Sequence, residues 1–272
     1  MLPCVSDAAC GLSKSVALLE KGKRMTKTVL ISGGSRGIGR ATALYLAARG
    51  WRVALTYQSD RTAAEQTVKD CEALGVSAIA IQGNTADEGD VVRAYDETLT
   101  AFGTLDAVIV NAGVVAPKSD LADMPLERLR RVFDTNVLGA FLFAREAARR
   151  LPSGMSGEEA SIVFVSSAAA RLGSPNEYVD YAASKGAIDT FTIGLSKELA
   201  ASGIRVNAVR PGLIETDIHA SGGQPDRAER LGKTVPMARS GRAEEVAAVI
   251  GWLCSSEASY CTGALIDVAG GR

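Results

Sequence analysis

Seven short apolar runs rich in β-branched residues punctuate the chain, at residues 28–32, 53–57, 77–82, 107–110, 162–165, 206–209 and 264–268. They are continuous rather than alternating, the pattern of strands buried on both faces of a parallel sheet. The stretches between them, such as 40–49, 62–74 and 88–102, are long enough for helical crossovers. Helical spacing is plain in Leu126, Leu129, Val132, Phe133 and Val137, and again in Ala187, Ile188, Phe191, Ile193, Leu195 and Leu199. Gly50, Gly75, Gly103 and Gly203 stand where helices should end in a left-handed residue. Repeated βα units of this kind predict an α/β fold, a doubly wound parallel sheet of about seven strands with helices on both faces.

The pattern predicts a single domain over residues 25–272, without internal repeats or a low-complexity linker. Residues 213–242, rich in Gly, Pro and charge after the sixth strand, read as an inserted lid over a substrate. Residues 1–24 follow neither period and end in the basic cluster Lys21, Lys23 and Arg24. A signal peptide carries its charges before its apolar stretch, so this segment reads as a disordered or non-native leader.

Composition narrows the chemistry. Among 272 residues, 30 basic and 31 acidic side chains give a formal net charge of -1, so bulk charge draws in neither nucleic acid nor an anionic membrane. No apolar run approaches the ~18 residues of a membrane span. Five scattered cysteines without a Cys-x-x-Cys argue against a disulfide framework and for a reducing, cytoplasmic compartment. There is one histidine, His219, in the lid, which excludes multi-histidine metal sites and any Ser-His-Asp triad built elsewhere; no metal site is expected.

Two motifs point to chemistry. Ser32-Gly33-Gly34-Ser35-Arg36-Gly37-Ile38-Gly39 follows the first strand and opens the first helix. Glycines there allow a tight turn and let backbone N–H groups approach a pyrophosphate at the positive helix end, the dinucleotide-binding arrangement of a Rossmann-type sheet. Tyr181 and Lys185 lie four residues apart, on one helical face. A phenol with a pKa near ~10 needs about three units of depression to work at neutral pH, roughly 4 kcal/mol. One cation at ~4 Å supplies that order at an effective dielectric of ~20. Tyr178 shares the face of Lys185, but seven residues correspond to ~10.5 Å of axial rise, which favours Tyr181 as the acid.

The glycine loop, Asn111-Ala112-Gly113 after the fourth strand, Asn136 within Asp134-Thr135-Asn136-Val137, Ser166-Ser167 after the fifth strand, Tyr181/Lys185 and Pro211-Gly212 after the sixth occur in the order seen in short-chain dehydrogenases/reductases. The chain resembles that family over nearly all of residues 27–272. The resemblance implies an oxidoreductase that interconverts a ketone or aldehyde and an alcohol by hydride transfer. Tyr181 would be the general acid/base and Lys185 would lower its pKa and bond the nicotinamide ribose. Ser167 would fix the substrate oxygen, and Asn136 would hold a water of a proton relay. Ser166 remains the alternative to Ser167, because segment 168–180 is a residue longer than in many family members. Gly33, Ser35, Arg36, Gly37, Ile38 and Gly39 would hold the phosphates. Tyr57, Gln58, Ser59, Asn84, Thr85, Asn111, Ala112 and Gly113 would surround the adenosine, and Pro211, Gly212, Ile214 and Thr216 the nicotinamide.

The second strand ends Leu55-Thr56-Tyr57-Gln58-Ser59, with no carboxylate until Asp60, and Arg36 can reach the same place. A carboxylate there would repel a 2′-phosphate, whereas an arginine pairs with it. NADP(H) is therefore the expected cofactor, with NAD(H) the alternative. Rival readings are a 3-oxoacyl-carrier-protein reductase, with Arg128, Arg130 and Arg131 as docking candidates, and a non-catalytic NADP(H) sensor. The family also implies a homotetramer or homodimer, for which residues 138–144 and 246–253 are apolar enough.

Overall fold

A computed structural model of the chain describes residues 26–151, 160–216, 222–224 and 226–272. The leader, His219 and the middle of the lid lie outside the described residues. The strands are β1 (Thr28–Ile31), β2 (Arg52–Tyr57), β3 (Ala78–Gln82), β4 (Ala107–Val110), β5 (Ala160–Val165), β6 (Ile204–Pro211), β7 (Ile214–Glu215), β8 (Gly241–Arg242) and β9 (Leu265–Val268). Seven of them form one parallel sheet in the order β3-β2-β1-β4-β5-β6-β9, and β7 pairs with β8 in a separate two-stranded ladder. The seven-stranded parallel sheet expected from the apolar runs is the one observed.

The helices are α1 (Gly37–Ala47), α2 (Arg61–Ala73), α3 (Glu88–Phe102), α4 (Leu126–Phe133), α5 (Gly139–Arg150), α6 (Ala169–Leu172), α7 (Val179–Leu199), α8 (Arg227–Gly232) and α9 (Ala243–Leu253). Successive strand residues face opposite sides, so the sheet feeds two cores. Val29 and Ile31 of β1 pack with Leu46 of α1 and Val246 and Ile250 of α9. Leu30 joins Tyr95 of α3, Phe143 of α5 and Ile188 of α7 on the other side. Gly103, at φ 71, and Gly203, at φ 72, close their helices in the left-handed region, as their positions suggested.

Strand β6 runs four residues longer than its apolar core because polar side chains are satisfied inside it. Asn207 donates to the Cys261 carbonyl and accepts from Ala264, while Arg205 bonds the Leu253 and Ser255 carbonyls. The lid region is pinned at both ends by the β7–β8 ladder. Between α4 and α5, residues 134–138 form one π-helical turn, an irregularity of the kind that often marks a functional site. The sheet order reverses between β1 and β4, and the strand ends around that switch point open a crevice.

Candidate active site

The crevice collects side chains from the ends of β1, β2, β4, β5 and β6 and from the start of α7. Of the residues nominated from the sequence, all but Gly39, Asn84 and Asn136 line it. Those three stand close behind its wall. A Cβ on Gly39 would meet the Gly33 carbonyl at 2.2 Å, so this residue is a packing glycine that lets α1 approach its own loop. Asn84 closes a local turn, with Oδ1 accepting from Ala86 N–H at 3.1 Å, and borders a neighbouring hollow with Gln58 and Gln82. Asn136 is buried at 1% exposure, Oδ1 accepting from Val114 N–H and Nδ2 donating to the Val114 carbonyl and Ser184 Oγ.

The glycine loop is held by Asn111, nominated from the sequence, and by Ser32 and Thr56, which were not. Ser32 Oγ accepts from the N–H groups of both Asn111 and Ala112, and Asn111 Nδ2 donates to the Ser32 and Gly33 carbonyls. Thr56 Oγ1 accepts from Gly33 N–H at 3.2 Å. Gly37 enters α1 at φ 55, a left-handed conformation that disfavours other residues. Arg36 precedes it, and among the described residues no side chain caps the leading N–H groups of this helix and no acidic residue stands in its first turn. Arg36 is exposed and forms no ion pair among the described residues. Asp60, the first carboxylate after β2, is spent as the N-cap of α2, accepting from Ala63 N–H at 3.0 Å.

At the other end, Lys185 is 4% exposed, donates to the Val165 carbonyl at 2.8 Å and lies 5.7 Å from the centre of the Tyr181 ring. A Cβ on residue 113 would sit 3.3 Å from Lys185 Nζ and 3.4 Å from Asn136 Oδ1, so Gly113 leaves room where both polar heads converge. Burial pulls the Lys185 ammonium down to about 8, with Asp189 opposing. Burial also pushes the Tyr181 phenol up, with Ser167 acting in the opposite sense. The expected depression of the phenol is therefore not present in this state. The ammonium is turned to a strand carbonyl and is itself short of solvation.

Strand alternation separates the two serines. Both border the crevice, but Ser166 is buried and donates to Asp189 Oδ1 at 2.6 Å, whereas Ser167 is half-buried, accepts from Ala169 N–H and acts on Tyr181. Segment 168–180 holds α6 and left-handed residues at Gly173, Ser174 and Asn176. Tyr178 also lines the crevice, but its hydroxyl accepts from Gln224 at 2.5 Å and Arg227 stacks on its ring.

Arg128 is a correction to the sequence reading. It is no docking residue: its guanidinium bonds both oxygens of Asp180, at 2.8 and 3.0 Å, with side-chain exposures of 9% and 1%. It also donates to the Pro117 and Glu177 carbonyls, tying the loop after β4 to the start of α7. Burial pushes the Asp180 carboxyl up, but the Arg128 bonds and backbone N–H groups outweigh it and hold the group below the usual carboxylate range. Partners 52 residues apart leave no local signal in a sequence.

The fold and this crevice define a dinucleotide-fold oxidoreductase. A family model described as enoyl-(acyl carrier protein) reductase matches residues 33–272. The chain is 51% identical over 243 residues to the uncharacterized oxidoreductase YgfF of Escherichia coli K12, covering 89% of this chain and 98% of that protein. Its fold is similar to 3-ketoacyl-(acyl-carrier-protein) reductase from Brucella melitensis complexed with NADH, at TM-score 0.84 and 30% identity over 90% of this chain and 98% of that one. It is equally similar to a short chain dehydrogenase from Burkholderia cenocepacia in complex with NADP, at TM-score 0.83 and 35% identity over 92% and 99% of the two chains. The chain belongs to the short-chain dehydrogenase/reductase family, enzymes acting on CH–OH and carbonyl groups.

The Arg128–Asp180 pair yields a test. Breaking a buried pair from one side strands the other charge, so Arg128→Ala is expected to cost about 3–5 kcal/mol in urea unfolding at neutral pH. Because the folded Asp180 pKa is depressed, the wild-type advantage is present above the unfolded value and is lost as pH falls through the folded one. A variant of wild-type stability at pH 7 would contradict this account.

Proposed function

We propose that this chain transfers hydride between a nicotinamide dinucleotide, NADP(H) by preference, and the carbon of a ketone, aldehyde or alcohol. The observation that carries the reading is the convergence of Tyr181, Lys185 and Ser167 on one crevice with a glycine loop and an uncapped helix end. That helix end suits a pyrophosphate, since its N–H groups and dipole favour an anion. Ser35, Arg36, Gly37 and Ile38 would hold the phosphates, and Pro211, Gly212, Ile214 and Thr216 would flank the nicotinamide. When bound, the nicotinamide supplies the hydride for reduction or receives it in oxidation.

Tyr181 donates its phenolic proton to the carbonyl oxygen during reduction and takes a proton back in oxidation. Ser167 orients that oxygen and stabilises its developing charge with a preorganised donor. Lys185 favours the phenolate as it forms. Catalytic contacts commonly tighten only in the complex, where the raised phenol would have to come down. Asn136, its amide committed to Val114 and Ser184, shapes the floor under Lys185, the turn in which a relay water would sit. Arg36, beside Gln58 and Ser59 at the adenosine end, pairs with a 2′-phosphate, and Asp60 is engaged in capping α2.

A carrier-protein substrate is the second reading, favoured by the family model's description and by what the Brucella enzyme is called. On this chain its docking patch is reduced to Arg130 and Arg131, both exposed, with Arg131 at the crevice. Self-association rests on the exposed Leu138, Phe141 and Ile193, with Phe141 stacked on Phe191 at 3.7 Å between centroids. On α9, by contrast, Val246, Ala247, Ile250 and Leu253 are spent on the core.

Tyr181→Phe is expected to leave NADPH binding nearly intact while cutting turnover of a ketone panel by about 10²-fold or more. Ordinary activity would remove Tyr181 from its role, and tight NADPH binding without turnover in the wild type would instead favour a sensor. The ratio of kcat/KM for NADPH over NADH is expected to exceed one and to fall about tenfold or more in Arg36→Ala. A wild-type preference for NADH would refute the cofactor assignment. Light scattering is expected to show a dimer or tetramer that Phe141→Asp dissociates, and a monomeric wild type would end that proposal.

A further inference from the structure

Behind the crevice, the ends of β5 and β6 and the middle of α7 meet on one buried carboxylate. Asp189 stands one helical turn after Lys185 and is 7% exposed. Its Oδ1 accepts from Ser166 Oγ at 2.6 Å, and the same hydroxyl lies 3.2 Å from the Lys185 carbonyl. Its Oδ2 accepts from Arg210 Nε at 2.9 Å and Nη2 at 2.8 Å. Ser166 leads directly to Ser167, and Arg210 to Pro211 and Gly212 in the crevice wall.

Hydrogen bonding alone does not call for a charge here, since an amide could accept from Arg210 through its oxygen and donate to Ser166 Oγ, leaving that hydroxyl to the Lys185 carbonyl. A buried charge is costly unless it balances another. Arg210 is the cation bonded to Asp189, while the buried Lys185 ammonium, one helical turn back on α7, is turned to the Val165 carbonyl, with Asp189 opposing the loss of its proton. A second carboxylate, Asp267, stands 3.9 Å from Arg210 and is shared with Arg171 at 3.3 Å, at 41% exposure. Arg210 therefore draws mainly on Asp189, in competition with Lys185.

We propose that Asp189 and Arg210 form a positioning pair, registering Ser167 and Pro211-Gly212 against α7 and setting, through their competition, how firmly Lys185 is held as an ammonium. This rests on the reading of Lys185 as a working cation. The other groups that face Lys185 do not supply that control. From α7 itself there is Tyr181; from β5, the Val165 carbonyl, followed by the Ser166 hydroxyl against the Lys185 backbone carbonyl; from the π-turn, the Asn136 amide. Arg128 of α4 is matched by Asp180 at the start of α7, and Asp267 of β9 lies beyond Arg210.

Two substitutions separate charge control from mere support. Asp189→Asn removes the anion and keeps an acceptor towards Arg210, with its amide N–H turned to Ser166 Oγ, whose own proton can go to the Lys185 carbonyl. Arg210→Gln keeps the anion and removes its competing cation. In the full chain labelled at lysine Cε, without cofactor, Lys185 is followed by NMR and assigned by its disappearance in Lys185→Arg. Its titration midpoint is expected to fall by about one pH unit in Asp189→Asn and to rise in Arg210→Gln. The limb of the kcat/KM profile set by Lys185 should move in the same two directions. Midpoints that stay put, or move the same way in both variants, overturn the pair. If Asp189→Asn does not fold, Arg210→Gln decides alone, an unraised midpoint overturning it. Opposite NMR shifts in a protein that turns over no carbonyl would sustain the pair and defeat the catalytic reading instead.

Discussion

Burying an ammonium at the mouth of a parallel sheet is the constraint around which this site is arranged. A desolvated cation without compensation costs several kcal/mol, so each element near Lys185 contributes something to its solvation or makes room for it. Strand β5 offers the Val165 carbonyl, α7 brings Asp189, and the loop after β4 has a glycine where any side chain would crowd Nζ. The compensation is incomplete, as the depressed lysine pKa of about 8 records. The sign follows directly: an unfolded chain holds the Lys185 proton more tightly, so this residue costs stability below about pH 8 and the cost fades as pH rises towards the unfolded value near ~10.4. A fold that retains such a residue is spending stability on function.

What could be read in the sequence is what backbone periodicity and short spacing encode. The seven apolar runs correspond to seven sheet strands, and the glycine loop lies where a strand must turn into a helix. The spacing of Tyr181 and Lys185 brings both to one crevice because four residues make about one turn. Period-two alternation likewise separates Ser166 from Ser167. Long-range pairing was hidden. Arg128 looked like one of three surface arginines, and only the fold brings Asp180 to it. The full reach of β6 was hidden too, since Arg205, Asn207 and Arg210 look like interruptions until their partners on β9, α7 and the segment after α9 are in place. The phenol's state was the third thing out of reach, because spacing gives proximity along a helix but not where an ammonium points.

Distance from the charge also explains how tyrosines three residues apart acquire different work. The Tyr178 oxygen is taken by the Gln224 amide, its ring is covered by Arg227, and Arg227 is clamped by both oxygens of Glu177 at 2.6 and 2.8 Å. A phenol so engaged is a wall. Tyr181 has Ser167 for company and an ammonium within a turn, which is why the proposed function gives the proton transfer to Tyr181 and not to Tyr178. The wall is fastened by the segment after β7, while Tyr181 and Lys185 are held by β5 and α7. Changes in the segment carrying Gln224 and Arg227 can therefore reshape what enters the crevice without disturbing the charge balance around Lys185. That separation lets the mouth of the crevice and its charged floor vary independently.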